Sequence, residues 1–271
     1  MSEHGTQGTA LITGASTGIG AIYADRLARR GHDLILVARN TERLNAVAAK
    51  LIKDTGRGVS VITADLGAAA DLARVEEVLR EDPALTLLVN NAGFGGVTPL
   101  LQSDADRMEA MIDINVTALT RLTYAVAPRF VARGRGAVIN ISSIVAIAPE
   151  VLNGVYGATK AYVLALTQSL QHELADKGVR VQAVLPGATA TEFWDVAGMP
   201  ISNVPESWVM RAEDMVDAAL AGFDLGEVVT IPPLQDGAQW TAYEASRQAL
   251  SKQFMHATPG PRYGIAVSDA A

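Results

Sequence analysis

Tyr156 and Lys160 stand four residues apart, and Ser143 precedes them at the end of an apolar run. A phenol, an ammonium and a hydroxyl in that order suit proton transfer to or from an oxygen atom. Tyrosine is a weak base at its ordinary pKa of about 10, and a cation within a few ångströms lowers that by about 1–3 units. Four residues is about one helical turn, so the two side chains share a face. Ser143 would then hold the reacting oxygen by a hydrogen bond, where charge develops. None of the other tyrosines (Tyr23, Tyr124, Tyr162, Tyr243, Tyr263) has a lysine four residues on.

A second constellation lies upstream. Thr13-Gly14-Ala15-Ser16-Thr17-Gly18-Ile19-Gly20 is a glycine-rich turn directly after the apolar run Thr9 to Thr13. Such a turn, opening a helix, offers unpaired backbone amides and the positive helix end to a pyrophosphate. Gly14 would allow the tight turn, Gly18 close backbone approach, and Gly20 close helix–strand packing. Ser16 and Thr17 add hydroxyl donors. The second strand ends in Ala38-Arg39-Asn40, with no carboxylate to receive a ribose diol. Arg39 is a guanidinium placed where a 2′-phosphate would lie, which favours NADP(H) and leaves NAD(H) as the alternative. Asp65-Leu66 ends the third strand, where Asp65 is placed to accept from an adenine amino group. Asn90-Asn91-Ala92-Gly93 ends the fourth, small and polar as a loop touching a nucleoside needs. A bound nicotinamide moves a hydride while Tyr156 moves a proton, which is carbonyl–alcohol chemistry.

The elements that must position these groups alternate. Strands are expected at Thr9–Thr13, Asp33–Ala38, Val59–Ala64, Leu85–Val89, Gly136–Ile141, Arg180–Leu185 and Val228–Ile231. Helices are expected at Ile19–Arg30, Thr41–Thr55, Ala69–Arg80, Asp104–Arg133, Gly154–Asp176 and Ala238–Met255. Pro128 predicts a bend or stop near the end of the long helix. This alternation specifies an α/β fold with a parallel sheet covered on both faces. We expect one domain over 1–271, with an irregular lid insertion at about 188–212 and a C-terminal helix and tail at about 234–271. Phe193, Trp194, Met199, Trp208 and Met210 in the insertion, with Ile144, Val145, Val151 and Leu152, predict an apolar pocket wall.

Composition narrows the partners. The chain has 271 residues, 49% apolar and only 5% aromatic, enough for a single large core. A formal charge of −7 argues against nucleic acid. No apolar run spans a bilayer, and the polar stretch Met1–Gly8 has no secretory pattern, so a cytoplasmic protein with no membrane partner is expected. The chain has no cysteine, and its four histidines fall in no ligand spacing, so no metal is expected. The small-molecule substrate is expected to be neutral, because no cationic pair stands out as a carboxylate clamp.

Taken in order, TGASTGIG at 13–20, Asp65-Leu66, NNAG at 90–93, Asn115, Ser143, YGATK at 156–160 and PGATAT at 186–191 resemble the classical short-chain dehydrogenase/reductases from Thr9 to about Pro232. The resemblance implies a doubly wound Rossmann fold whose seven-stranded sheet runs 3-2-1-4-5-6-7. It implies a catalytic tetrad of Asn115, Ser143, Tyr156 and Lys160, with Tyr156 as general acid/base and Lys160 on the ribose. The position of Asn115 would hold a proton-relay water. Pro186, Gly187, Thr189 and Thr191 match the stretch that binds the nicotinamide carboxamide. A homodimer or homotetramer built on the long helix and the Tyr156 helix is also implied. Enoyl reductases of the superfamily space their lysine farther away, where this chain has Val163. Extended relatives are longer, and a non-catalytic dinucleotide sensor would not need the full tetrad.

Overall fold

A computed structural model describes residues 7–265; Met1–Thr6 of the polar N-terminal stretch and the tail beyond 265 lie outside the described residues. The chain begins with β1 (Thr9–Thr13), α1 (Gly18–Arg29), β2 (Asp33–Ala38), α2 (Thr41–Thr55), β3 (Val59–Thr63), α3 (Ala69–Glu81) and β4 (Leu85–Asn90). It continues through α4 (Ala105–Ile112), α5 (Leu119–Arg133), β5 (Gly136–Ile141), α6 (Gly154–Leu174) and β6 (Val179–Val184). There follow β7 (Thr189–Ala190), α7 (Phe193–Ala197), β8 (Met210–Arg211), α8 (Ala212–Leu225), β9 (Val229–Thr230) and α9 (Gly237–Ser251).

Seven strands form one parallel sheet in the order β3-β2-β1-β4-β5-β6-β9. This is the expected order; the last strand is numbered nine only because β7 and β8 form a separate two-stranded ribbon inside the insertion. The strands are apolar at nearly every position because neighbours along a strand serve opposite cores. Ile12 and Leu36 face one core with Tyr23 and Leu27 of α1, Leu44 of α2 and Met215 of α8. Leu11, Val37, Leu88 and Val138 face the other, with Val75 of α3, Phe130 of α5 and Leu170 of α6. Each such buried leucine or valine contributes about 1.5–3 kcal/mol.

The long helix differs from expectation in two respects. Between α4 and α5 the backbone adopts π-helical register over Asp113–Ala118, with Asn115 buried inside it. Pro128 does not stop the helix, for α5 runs on to Arg133 and ends at Gly134 in left-handed conformation (φ 61°). Pro128 and Tyr124, whose carbonyl loses its partner, both lie on the exposed face of the helix.

The chain divides between Pro233 and Leu234 into two compact units. In the second, Trp240 stacks on Tyr243 within α9 at 5.3 Å between ring centroids, and a 3-10 turn covers Pro261–Tyr263.

Candidate active site

The glycine turn is held by the end of the fourth strand. Thr13 Oγ1 donates to Val89 O (3.4 Å) and accepts from the amides of Asn91 and Ala92, both at 3.0 Å. Asn91 Nδ2 donates back to Thr13 O (2.8 Å) and Gly14 O (3.2 Å). Gly14 sits at φ +66°, and a Cβ there would lie 2.7 Å from Asn91 Nδ2. Gly20 has no room for a Cβ against the carbonyl of Gly14, and Gly18, at φ +53°, lies beside the Thr191 side chain. Ile19 packs against the first core, while Ser16 and Thr17 are half-buried on the turn. Thr17 precedes α1 without a side-chain cap, and no acid lies in the first turn. The first amides of α1 and the positive helix end thus face outward without an internal anion, and a pyrophosphate fits this cradle.

Arg39 is exposed at the end of β2 and makes no ion pair within the described residues. Asn40 caps α2 by accepting from Arg43 N (2.9 Å), while Arg43 pairs with Glu192 (2.7 Å) across the site. Asp65 Oδ1 accepts from Gly67 N (3.0 Å). The Leu66 side chain is buried in the second core, so only its backbone is left to face a nucleoside.

Helix α6 carries Tyr156 and Lys160 on one buried face. Lys160 Nζ lies 5.7 Å from the Tyr156 ring centroid and donates to Ile141 O (2.9 Å). Ser142 Oγ donates to the Lys160 carbonyl (2.7 Å), fixing the helix against β5. Ser143 neighbours the Tyr156 phenol; its Oγ donates to Pro186 O (3.4 Å) and accepts from Val145 N (3.4 Å). Asn115 Nδ2 donates to Phe94 O (2.9 Å) and Thr159 Oγ1 (3.1 Å), and its Oδ1 accepts from Phe94 N (3.1 Å). Thr159 Oγ1 in turn donates to Tyr156 O (2.8 Å). At Gly93 a Cβ would lie 2.8 Å from Asn115 Oδ1 and 3.7 Å from Lys160 Nζ, so the fourth-strand loop closes directly over the tetrad.

The electrostatics correct one expectation. Burial pushes the Tyr156 phenol up to about 12, opposed by the neighbouring Ser143 hydroxyl, and pushes the Lys160 ammonium down to about 8. Proximity of a cation predicts a lowered phenol; here the loss of hydration around both groups is the larger effect, and it favours both neutral forms.

An apolar wall surrounds the phenol. Tyr156 clusters with Met108, Met111 and Val145, packed by Phe94, Leu152, Val155 and Phe193. The Phe193 ring lies 5.7 Å from that of Tyr156, and Trp194 meets Phe193 edge-on at 5.6 Å. Trp194 Nε1 donates to Thr189 O (2.9 Å), Thr189 Oγ1 to Gly187 O (3.1 Å), and Phe193 N to Thr191 Oγ1 (3.3 Å), so the 186–191 stretch seats the lid helix α7. Of the expected wall, Val151 and Trp208 are exposed instead, and Met210 packs on the first core. Sequence reasoning missed Phe94, Met108 and Met111, whose helical or loop spacing carries no catalytic pattern, and it quoted Thr13 and Thr159 within their motifs without giving them a role. No group of acids and histidines that could hold a metal occurs among the described residues.

A sequence profile of the short chain dehydrogenase family matches residues 8–198. The chain belongs to the short-chain dehydrogenase/reductases. Within that family it is 52% identical to a short-chain dehydrogenase from Sphingobium yanoikuyae solved with NADPH, over 94% of this chain and 100% of that one, with a TM-score of 0.92. A bulky-bulky ketone specific alcohol dehydrogenase from Comamonas testosteroni is 46% identical over 96% and 99% of the two chains, with a TM-score of 0.88. An NADP-dependent 3-hydroxy acid dehydrogenase of Salmonella typhi is 38% identical over 69% of this chain and 75% of its own. The protein is accordingly an NAD(P)-dependent oxidoreductase of CH–OH and C=O groups. No helix among the described residues is long and apolar enough to cross a membrane.

Proposed function

We propose that this chain uses NADP(H) to interconvert a neutral, hydrophobic ketone or aldehyde with its alcohol, and that Tyr156 is the general acid/base. The observation that carries this reading is the buried phenol of Tyr156, beside Ser143, one helical turn from Lys160, and set in an apolar wall of Met, Phe and Val side chains. When bound, the nicotinamide supplies or accepts the hydride.

Each group of this chain has a task. The amides of Gly14, Ser16, Thr17, Gly18, Ile19 and Gly20 would hold the pyrophosphate, and Arg39 the 2′-phosphate. Asp65 and the Leu66 backbone would face the adenine, Asn91, Ala92 and Gly93 the adenosine side, and Pro186, Gly187, Thr189 and Thr191 the carboxamide. Lys160 would hold the ribose. For reduction, Tyr156 Oη gives its proton to the substrate oxygen while Ser143 Oγ holds that oxygen. A phenol pushed up to about 12 is fully protonated at neutral pH, so it is ready to act as an acid. Oxidation needs the tyrosinate, which the charge on Lys160 favours. The π-helical register at Asn115 fixes its side chain on Phe94, so any relay role falls to the backbone at that position.

Two similarities support the finer points. One neighbour is described with bound NADPH and another as specific for bulky ketones. An NAD(H)-preferring enzyme would want a carboxylate at the end of β2, where Arg39 stands. The test is a panel of ketones, aldehydes and alcohols followed by nicotinamide absorbance with both cofactors. Turnover of bulky neutral carbonyls with NADPH well above NADH is expected; activity confined to charged substrates or to NADH would overturn the proposal.

A further inference from the structure

The Tyr156 helix begins at a residue that has two separate sets of partners. Asn153 is buried, and its Oδ1 accepts from Val155 N (2.9 Å) and from the backbone N–H of Tyr156 itself (3.3 Å). That is an N-cap, satisfying the first free amides of α6. Its Nδ2 points the other way and donates to Thr98 O (2.6 Å) and Ser103 Oγ (3.2 Å), while its backbone N donates to Gly96 O (3.3 Å). Ser103 Oγ closes the same loop on itself through Thr98 O (2.9 Å) and Pro99 O (3.0 Å).

The loop so held, residues 94–103, walls the site. Phe94 packs in the cluster around Tyr156 and is doubly bonded to Asn115. At Gly95 a Cβ would lie 3.3 Å from the Tyr156 ring and would collide with that of Phe193. Val97 N donates to Ala197 O (3.3 Å), joining the loop to α7. One buried amide therefore ties the backbone of Tyr156 to the segment that shapes the substrate side. A carboxamide suits both tasks, since its oxygen accepts on one side while its amino group donates twice on the other.

Resting on the proposed site, we infer that Asn153 is a positioning residue that sets the pocket wall of residues 94–103 relative to Tyr156, and so governs the affinity for the carbonyl substrate. The two halves of its side chain separate by substitution. Asn153→Asp keeps the cap, and its charge suits a helix N-terminus. It cannot donate, and it places a carboxylate against the Thr98 carbonyl. Asn153→Ala loses both functions.

Hydrogen–deuterium exchange on the full chain, without substrate or cofactor, reads the tether directly. In Asn153→Asp, peptides covering 94–103 should exchange about tenfold faster while amides 155–160 keep their protection; in Asn153→Ala both should accelerate. With a carbonyl that the wild type reduces, Asn153→Asp should raise KM about tenfold and leave kcat within about twofold, whereas Asn153→Ala should also lower kcat. Wild-type exchange over 94–103 in Asn153→Asp overturns the inference. So does faster exchange with an unchanged KM, which would make Asn153 a structural brace only. If the wild type reduces no carbonyl, the reading of the site fails on its own, and exchange alone decides the tether.

Discussion

Burial at Tyr156 and Lys160 makes opposite demands on the protein as pH rises. The Lys160 ammonium is depressed to about 8 from its ordinary 10.5, so between those values the unfolded chain holds a proton that the folded one has lost. Stability from this group therefore rises with pH through that window, and below about 8 the full cost of a buried charge is present. Lys160→Met should be most stable relative to wild type below about pH 8, the margin narrowing as pH approaches 10.5; loss of the bond to Ile141 O adds an offset that does not vary with pH. The phenol of Tyr156 is raised to about 12 from 10, so the unfolded chain ionises first and stability falls between those values, a loss that Tyr156→Phe removes. Urea unfolding across the pH series checks both, and a flat margin for Lys160→Met would contradict the burial of its charge. Arg39 lends itself to a kinetic test. Arg39→Asp should lower the NADPH-to-NADH ratio of kcat/KM by about tenfold or more, because a guanidinium–phosphate pair becomes a like-charge contact; an unchanged ratio would put the discriminating charge elsewhere.

At the scale of elements, what was legible in the sequence was what burial makes simple. Strands buried on both faces read as unbroken apolar runs, and β1, β2 and β5 begin and end where those runs do. The glycine turn and the Tyr156–Lys160 spacing are local patterns on single elements, so they were legible as well. The π-helical stretch at 113–118 was not, because one extra residue in the turn hardly disturbs the apolar spacing of α4 and α5. The second role of Asn153 was hidden for another reason: its partners Thr98 and Ser103 lie about fifty residues back in a loop with no periodicity. As a stop Pro128 was misread, because the roughly 3 kcal/mol that an interior proline costs need not end a helix whose other face is buried in the core. Replacing it should therefore help rather than harm. Pro128→Ala restores a hydrogen bond to Tyr124 O and should stabilise by about 1–2 kcal/mol after allowing for the greater entropy of the unfolded chain. A thermal melt checks this, and a lowered Tm would mean that the proline's shape is itself required.

For the whole molecule, the sheet order and the two cores bring residues from five separate segments, around 14–20, 91–95, 115, 142–160 and 186–194, to the carboxyl ends of the strands. Self-association through α4, α5 and α6 is proposed on the exposed Ile112, Tyr124 and Tyr162. Light scattering should give a dimer or tetramer mass that falls in Tyr124→Arg, and a monomeric wild type would end that proposal. The central claim, that one buried phenol moves the proton, is tested most directly by Tyr156→Phe. Stopped-flow reduction of a bulky ketone should show turnover down by about 10³-fold or more, with NADPH affinity within about twofold of wild type. Turnover near the wild-type rate with NADPH bound normally would contradict the account.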